Sequence, residues 1–300
     1  MHSTFLTIVK IDKECYNTIN KMENYVMNLF ERIIHSLQKT MECPTNFGWF
    51  HIMFITIIII TTFLLCKFFK DSDKKTFNKI ILISWIIILV LEIYKQFVFS
   101  YTISENTVSW DYQWYAFPFQ FCSSPLYVLP FILLVRNDKI KEMFIAFTAT
   151  FCFFGGLVVY IYPNDVFIET IGINFQTMIH HGLQIVLGIY CITYYRNSLN
   201  FKWWAKSIFV FVGLVTIALL LNVSMYHLLQ NMNIDETFNM FYISPYFECS
   251  LPVLSIFYGI LPYVLFLLLY IVGFSLAALI IYLVTQLIIN YTRKKQIKNA

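Results

Sequence analysis

Residues 47–69 read FGWFHIMFITIIIITTFLLCKFF, an apolar run in which Lys67 is the one charged side chain. A helix needs about 20 apolar residues to cross the hydrocarbon core of a bilayer, so this run predicts a membrane-spanning helix. Six later segments have the same character, which gives seven predicted spans. Their bounds are 47–69, 80–101, 114–135, 143–163, 175–196, 207–229 and 261–289. The sequence therefore predicts an all-α integral membrane protein, a bundle of seven transmembrane helices.

Composition excludes a soluble globular protein. Hydrophobic residues make up 59% of the chain and charged residues only 13%, whereas soluble domains carry about 25% charged residues. The net charge is +4, and the basic residues form short clusters between apolar runs, so nothing predicts a nucleic-acid partner. The seven cysteines lack the paired short spacing of zinc or redox motifs. We therefore predict no metal and no cofactor, and we expect membrane lipids as the partners.

The distribution of Lys and Arg among the loops orients the chain, because cytoplasmic loops retain positive charge close to membrane spans. One set of loops holds the basic residues, within 67–79, 136–141, 196–206 and 293–298. The opposite set holds only acidic residues, within 105–111, 165–169 and 235–248. This alternation predicts a protein of the cell membrane with an outside N-terminus and a cytoplasmic C-terminus.

The N-terminal segment 1–46 differs from the rest because its basic and acidic residues balance. Apolar residues recur in it at helical spacing, at Ile19, Met22, Val26, Leu29, Ile33 and Leu37. This spacing predicts an amphipathic helix that lies on the membrane or caps the outer loops, with a partner-binding helix as the alternative. We therefore divide the chain into an amphipathic N-terminal segment, 1–46, and a seven-helix transmembrane domain, 47–300.

The longest outer loop, 231–261, contains the run FYISPYF at residues 241–247. This run is too apolar for a solvated tether, since exposed apolar surface gains free energy by leaving water. It therefore predicts a lid that folds back over the helix bundle.

Polar and ionisable side chains inside membrane spans are costly and are therefore functional candidates. They lie at a similar depth in the outer halves of five predicted spans, and the inner halves hold few. This shared depth predicts a single polar pocket that opens toward the outside. The candidate residues are His51, Glu92, Lys95, Gln120, Cys122, Ser123, His180, His181, Gln184, Asn222 and His227.

Glu92 and Lys95 have two interpretations. Their spacing of three residues makes them neighbours on one helix face, where opposite charges attract. They form a structural ion pair, or Lys95 serves as an anchor for an anion such as a phosphate.

Cys122, His180 and His181 are the candidates for nucleophilic chemistry. Cys122 lies between Pro118 and Pro125, so its helix is expected to be irregular or to begin near Pro118. A cysteine there is either a small packing residue or a nucleophile, and a nucleophile needs a base. Adjacent residues point about 100° apart on a helix, so only one of the two histidines is expected to face the pocket. Spacing leaves open which one.

Several motifs together resemble the YwaF family of bacterial integral membrane proteins. They are FGWFH at 47–51, EIYK at 92–95, FPFQFC at 117–122, the Gly155–Gly156 pair and His181–Gly182, and the resemblance extends over residues 47–289. A vertebrate transmembrane protein similar to this family is an acyltransferase of ether phospholipids, with an intramembrane Cys and His as its proposed catalytic pair. The resemblance implies that Cys122 is the nucleophile and His181 the base or acid, with an acyl group carried between two lipids as a thioester.

Together these observations predict a membrane-embedded lipid acyl-transfer or lipid-ester hydrolysing enzyme. Two alternatives stay open. One is a transporter or channel that uses Glu92, Lys95 and His51 along its path, although the inner halves of the spans lack matching polar residues. The other is a non-enzymatic scaffold or lipid-binding protein. The sequence specifies neither the substrate lipid nor the oligomeric state.

Overall fold

A computed structural model describes residues 29–104 and 107–299 of the chain, which are largely helical. The helices are α1 (Leu29–Leu37), α2 (Trp49–Phe69), α3 (Lys74–Val98), α4 (Ser124–Leu134), α5 (Asp138–Phe147), α6 (Phe153–Ile161), α7 (Ile171–Tyr194), α8 (Phe201–Asn231), α9 (Leu254–Phe257) and α10 (Tyr263–Asn299). After α3, a short antiparallel hairpin pairs β1 (Tyr101–Ser104) with β2 (Thr107–Trp110), with Tyr101 opposite Trp110.

In the described part of the chain, five helical segments are long and apolar enough to cross a membrane. They are Trp49–Phe69, Lys74–Val98, Asp138–Ile161, Phe201–Asn231 and Tyr263–Lys295. Many of their large apolar side chains face outward, for example Ile59 with 63% and Phe209 with 71% of its surface exposed. Because apolar surface of this extent is stable against lipid and not against water, the fold is that of a multi-pass helical membrane protein.

Two of the seven predicted spans are not among these five. Residues 175–194 of one predicted span lie in α7, a 24-residue helix whose polar residues lower its hydropathy. Segment 114–135 is irregular, as its prolines predict: 3₁₀ turns at Trp114–Ala116 and Phe121–Ser123 precede α4, which has only 11 residues. The α-helical part of this predicted span therefore begins only at Ser124, because Pro118 and Pro125 lack the N–H that a continuous helix requires. The count of seven spans stays a prediction.

Helix α7 lies at the centre of the bundle, in contact with α2, α3 and α6. Glycines let the main chains of α6 and α7 approach closely. A Cβ atom added at Gly156 would lie 2.6 Å from the His181 carbonyl oxygen, and one at Gly188 would lie 2.5 Å from Phe153 Cβ. This close contact buries the polar face of α7, including both histidines, inside the protein.

A π-helical turn, Thr148–Cys152, joins α5 to α6 within one continuous span. The turn is fully buried. Cys152 Sγ lies 3.6 Å from Ser124 Oγ at the beginning of α4. The π turn therefore packs against the chain segment that carries Cys122, and such turns are frequent near functional sites.

Helix α3 begins at an N-cap aspartate. The Asp73 carboxylate accepts a hydrogen bond from the Thr76 main-chain N–H at 3.0 Å, an arrangement that stabilises the start of a helix. Hydrogen bonds from Thr76 also lower the pKa of Asp73. The cap fixes where α3 begins and hence the depth at which Glu92 and Lys95 lie.

The loop after α8 folds back into the bundle, as its apolar run predicted. Phe238, Met240, Phe241 and Ile243 are fully buried in one hydrophobic cluster with residues of α8 and α10. Because a buried loop needs partners for its main-chain polar groups, this arrangement requires polar side chains from the helices.

The described part of the N-terminal segment packs at the hairpin end of the bundle. Tyr94 O–H donates to the Leu37 carbonyl at 2.7 Å, and Gln38 Nε2 donates to the Val98 carbonyl at 2.9 Å. Ile34 of α1 is fully buried, whereas Leu29 and Ile33 are exposed. The remaining apolar positions of the predicted amphipathic helix, Ile19, Met22 and Val26, lie outside the described residues.

Helix α10 is longer than the span predicted at 261–289, since it continues to Asn299. Lys and Arg are good helix formers, which explains why the basic run Arg293–Lys295 continues the helix. The helix therefore projects beyond its apolar part.

Candidate functional site

The candidate site is organised around the main-chain carbonyl of Cys122. Cys122 lies in the 3₁₀ turn Phe121–Ser123, where a carbonyl ordinarily accepts from the N–H three residues later. That residue is Pro125, which has no N–H. Two side chains of α7 take its place: His180 Nε2 lies 2.8 Å and Gln184 Nε2 lies 2.9 Å from the Cys122 oxygen. The contact brings Cys122 against the polar face of α7.

The partners of the two histidines determine which ring nitrogen carries the hydrogen. A carbonyl oxygen only accepts hydrogen bonds, so His180 donates from Nε2, and its Nδ1 keeps a lone pair. His181 Nδ1 lies 2.8 Å from the Thr177 carbonyl, so its Nε2 keeps the lone pair. Both rings are buried, with 2% and 6% of their surface exposed. The two adjacent histidines therefore point differently, and each retains one basic nitrogen.

One turn of α7 presents three buried acceptors without a protein donor. They are His180 Nδ1, His181 Nε2 and Gln184 Oε1. A buried polar group without a partner costs about 1–3 kcal/mol, and a catalytic role is one of the explanations for such a group. This turn can therefore accept hydrogen bonds from a thiol or hydroxyl, or take up a proton.

Glu92 and Lys95 form a buried ion pair on α3. Lys95 Nζ lies 2.8 Å from Glu92 Oε1, and 15% and 5% of their side chains are exposed. Gln96 Nε2 also donates to Glu92 Oε1, at 2.8 Å, and Tyr112 O–H donates to Gln96 Oε1 at 2.7 Å. Gln96 Nε2 also donates to the Ala116 carbonyl at 2.9 Å, so this network is bonded to the segment that leads into Cys122.

Gln120 and Asn222 bind the folded-back loop. Asn222 holds Met240 on both sides, because its Oδ1 accepts from the Met240 N–H at 2.7 Å and its Nδ2 donates to the Met240 carbonyl at 3.0 Å. Gln120 Oε1 accepts from the Phe241 N–H at 3.3 Å. These side chains supply the main-chain partners that the buried loop requires.

The other predicted pocket residues lie at the margins of this region. His227 is exposed, and its Nε2 lies 3.3 Å from Tyr246 O–H in the same loop. His51 is fully buried and accepts from the Phe47 N–H at 3.0 Å, with its ring 6.0 Å from that of Tyr160. Ser123 is buried beside Cys122.

A family model described as the TMEM164 family matches residues 46–286. The chain belongs to the TMEM164 family. The TMEM164 match begins next to the first predicted span and includes every candidate site residue from His51 to His227. The motif resemblance thus indicated the right class, a membrane-protein family, but the YwaF name is not the one that matches. No curated protein and no solved structure matches this TMEM164-family chain.

Sequence reasoning missed several participants. The sequence predicts that Pro125 interrupts the helix, but it does not predict that Pro125 leaves the Cys122 carbonyl without a donor in its own turn. Gln96 had a usable signal, since it follows Glu92 by four residues and so lies on the same helix face. The turn at Phe241 and Tyr242 had none: both residues have positive φ, 58° and 56°, at a cost of about 1–3 kcal/mol each, yet neither is glycine or asparagine.

The described residues include no group of three or more His, Cys, Asp or Glu side chains that could hold a metal ion. The side chains of this region include a thiol, two imidazoles and a lysine that is paired with Glu92.

Proposed function

We propose that this TMEM164-family protein is a lipid acyl-transfer or lipid-ester hydrolysing enzyme, with Cys122 as nucleophile and His181 as the base. The observation that supports it best is the contact between the Cys122 carbonyl and His180, which joins residues 58 positions apart in the sequence. It places a thiol-bearing residue against a turn of α7 with two basic nitrogens that lack donors.

His181 is suited to the role of base because a hydrogen bond to its own helix fixes the orientation of its ring. The Thr177 carbonyl holds the Nδ1–H at 2.8 Å, so Nε2 presents its lone pair away from the helix main chain. A nucleophile, a base and a group that orients the base form the general arrangement of covalent catalysis.

In the proposed reaction, the Cys122 thiol gives its proton to His181 Nε2, and the thiolate attacks the carbonyl carbon of a lipid ester. The carbon–oxygen bond breaks, and the leaving alkoxide takes the proton from His181. A hydroxyl of a second lipid, or water, then gives a proton to His181 and attacks the thioester. The carbon–sulfur bond breaks, and the thiolate recovers the proton. Attack by the second lipid results in acyl transfer, and attack by water results in hydrolysis.

Lys95 supplies positive charge to the proposed reaction. An ammonium group near the reacting carbonyl stabilises a developing oxyanion and attracts the phosphate of a phospholipid. Pairing with Glu92 uses one of its three N–H donors, which leaves donors for a substrate. The transporter alternative requires mobile charge along a path, whereas here Glu92 and Lys95 bind each other and His51 accepts from the main chain.

We further propose that the protein spans the cell membrane seven times, with α7 and the segment 121–134 as the two additional crossings. The basic loops would then lie in the cytoplasm, and the pocket would open toward the outside.

The lipid profile of cells that express the protein tests this proposal. We expect the wild type to change the acyl composition of membrane lipids, and Cys122→Ser and His181→Ala to abolish that change while the protein still folds. Cys191→Ser is the matched control, because Cys191 is a buried cysteine on α7, the helix that carries His181, and has no proposed role. A lipid profile that Cys122→Ser leaves identical to that of the wild type would overturn the proposal.

A further inference from the structure

His180 contacts Cys122, but His181 is the residue proposed as base. His180 therefore has a different role. We infer that His180 is a positioning residue: together with Gln184 it holds the nucleophile in place through the Cys122 main-chain carbonyl and does not exchange protons with the thiol. The role of this contact in catalysis rests on the proposed function. The contact itself rests on hydrogen-bond geometry.

The contact exists because of Pro125. Without an N–H at that position, the Cys122 carbonyl has no partner three residues later in its own turn, and an unpaired buried carbonyl is unfavourable. A carbonyl oxygen has two lone pairs, and His180 and Gln184 supply one donor each, at 2.8 and 2.9 Å. The two donors lie four residues apart on α7 and so face the same way.

The same geometry argues against His180 as the base. The two nitrogens of an imidazole point away from each other across the ring, so a ring whose Nε2–H is directed at the Cys122 carbonyl directs its Nδ1 away from that carbonyl. The Nε2 proton is committed to the contact. His181 carries the opposite tautomer, with Nδ1–H bound to its own helix and Nε2 free.

Holding the nucleophile through the main chain also explains the local shape of the site. Cys122 lies in a single 3₁₀ turn between prolines, in which the Gln120 and Phe121 carbonyls accept from the main chain of the turn but the Cys122 carbonyl does not. Positioning of a reacting atom to within a fraction of an ångström contributes strongly to rate, so a turn of this kind needs an external support. The two α7 side chains provide it.

Three variants separate positioning from proton transfer. His180→Gln keeps an N–H donor close to the position of Nε2 but cannot act as a base, whereas His180→Ala removes the donor. His181→Gln removes the proposed base. We expect His180→Gln to retain most of the lipid turnover, His180→Ala to lose about tenfold, as for the loss of one buried hydrogen bond, and His181→Gln to be inactive.

A spectroscopic measurement tests the contact independently of turnover. The full chain is prepared in lipid nanodiscs with carbonyl-labelled cysteine, and the Cys122 signal is identified by its loss in Cys122→Ser. In isotope-edited infrared spectra we expect His180→Ala to move the Cys122 carbonyl band toward a weaker hydrogen bond, and His180→Gln to leave it near the wild-type position.

The outcomes distinguish the two proposals. An unchanged carbonyl band in His180→Ala, or a His180→Gln variant as inactive as Cys122→Ser while His181→Gln stays active, would overturn the positioning role. A normal band shift together with a Cys122→Ser lipid profile identical to the wild type would instead overturn the proposed enzyme and leave the structural contact standing. Because His180→Gln preserves the donor, the test holds even where His180→Ala does not fold.

Discussion

At the scale of single residues, the buried polar side chains divide by what they bind. His180, Gln184 and Asn222 bind main-chain groups of short 3₁₀ turns that lie outside the long helices. Glu92 and Lys95 bind each other. Burial of a polar group is costly without a partner, so each of these contacts offsets a desolvation cost and thereby fixes where an irregular segment lies.

The ion pair gives the first prediction at this scale. Glu92→Ala or Lys95→Ala should lower stability by about 3–5 kcal/mol, because each leaves an uncompensated charge in the interior, and the double variant should lose less than the sum. Thermal unfolding of the purified protein in detergent compares the stability of the wild type, the two single variants and the double variant.

A matched control is the exposed pair Lys74 and Asp138, which has a similar separation, 3.0 Å, but side chains that are 62% and 73% exposed. Solvent screens such a pair, so its single variants should barely change the unfolding temperature. Strictly additive losses for Glu92 and Lys95 would contradict the pairing.

At the scale of elements, the contact between α6 and α7 sets the geometry of the site. Gly156 faces the turn of α7 that carries His181 and Gln184: an added Cβ would lie 2.6 Å from the His181 carbonyl oxygen and 2.9 Å from Gln184 Cβ. Main-chain atoms cannot give way as a flexible side chain can, so the separation of the two helices depends on this glycine.

We therefore predict that Gly156→Ala forces α6 and α7 apart and lowers stability by about 1–3 kcal/mol, the range for overpacked interiors. It should also reduce lipid turnover, because His181 and Gln184 move with the helix. Thermal unfolding and the lipid assay measure the two effects.

Gly213→Ala is the control for this prediction. Gly213 also lies inside a helix, α8, but nothing lies within 4 Å of an added Cβ. Alanine is favoured over glycine inside a helix by about 0.5–1 kcal/mol, so this variant should keep or raise stability. Equal behaviour of the two variants would show that helix separation does not depend on Gly156.

At the scale of the whole molecule, the arrangement of charge predicts orientation. Lys74, Arg196 and Lys206 all lie in ion pairs, and their acidic partners belong to the loop before α3 or to the first turns of α5, at one end of the helices. The hairpin and the folded-back loop lie at the opposite ends of the same helices and carry no Lys or Arg in their described residues.

Cysteine labelling tests the predicted orientation. In a background with Cys15 and Cys43 of the predicted outside segment replaced by serine, Thr107→Cys on the hairpin should react with a membrane-impermeant maleimide in intact cells, and Ser198→Cys should react only after permeabilisation. Both positions are exposed, so accessibility within the fold does not limit either reaction. Labelling of Ser198→Cys from outside would reverse the assigned topology.

The sequence alone determined that the protein is helical and embedded in a membrane, and it named the polar residues that make up the candidate site. Long apolar runs and the distribution of Lys and Arg are properties of consecutive residues, so they can be read without knowledge of the fold. The prolines on either side of Cys122 likewise predicted an irregular segment, and the apolar run at 241–247 predicted a loop that folds back.

Tertiary structure decided which polar atoms meet. Pro125 frees the Cys122 carbonyl, but only the packing of α7 determines that His180 and Gln184, 58 and 62 residues later, supply the donors. For the same reason Gln120 and Asn222, which share the depth of the predicted pocket, bind the loop at Met240 and Phe241. The depth of a residue along a helix follows from its position in the sequence. The partner of a hydrogen bond depends instead on how the helices are rotated and packed against one another. Residues that are distant in the sequence determine this packing together.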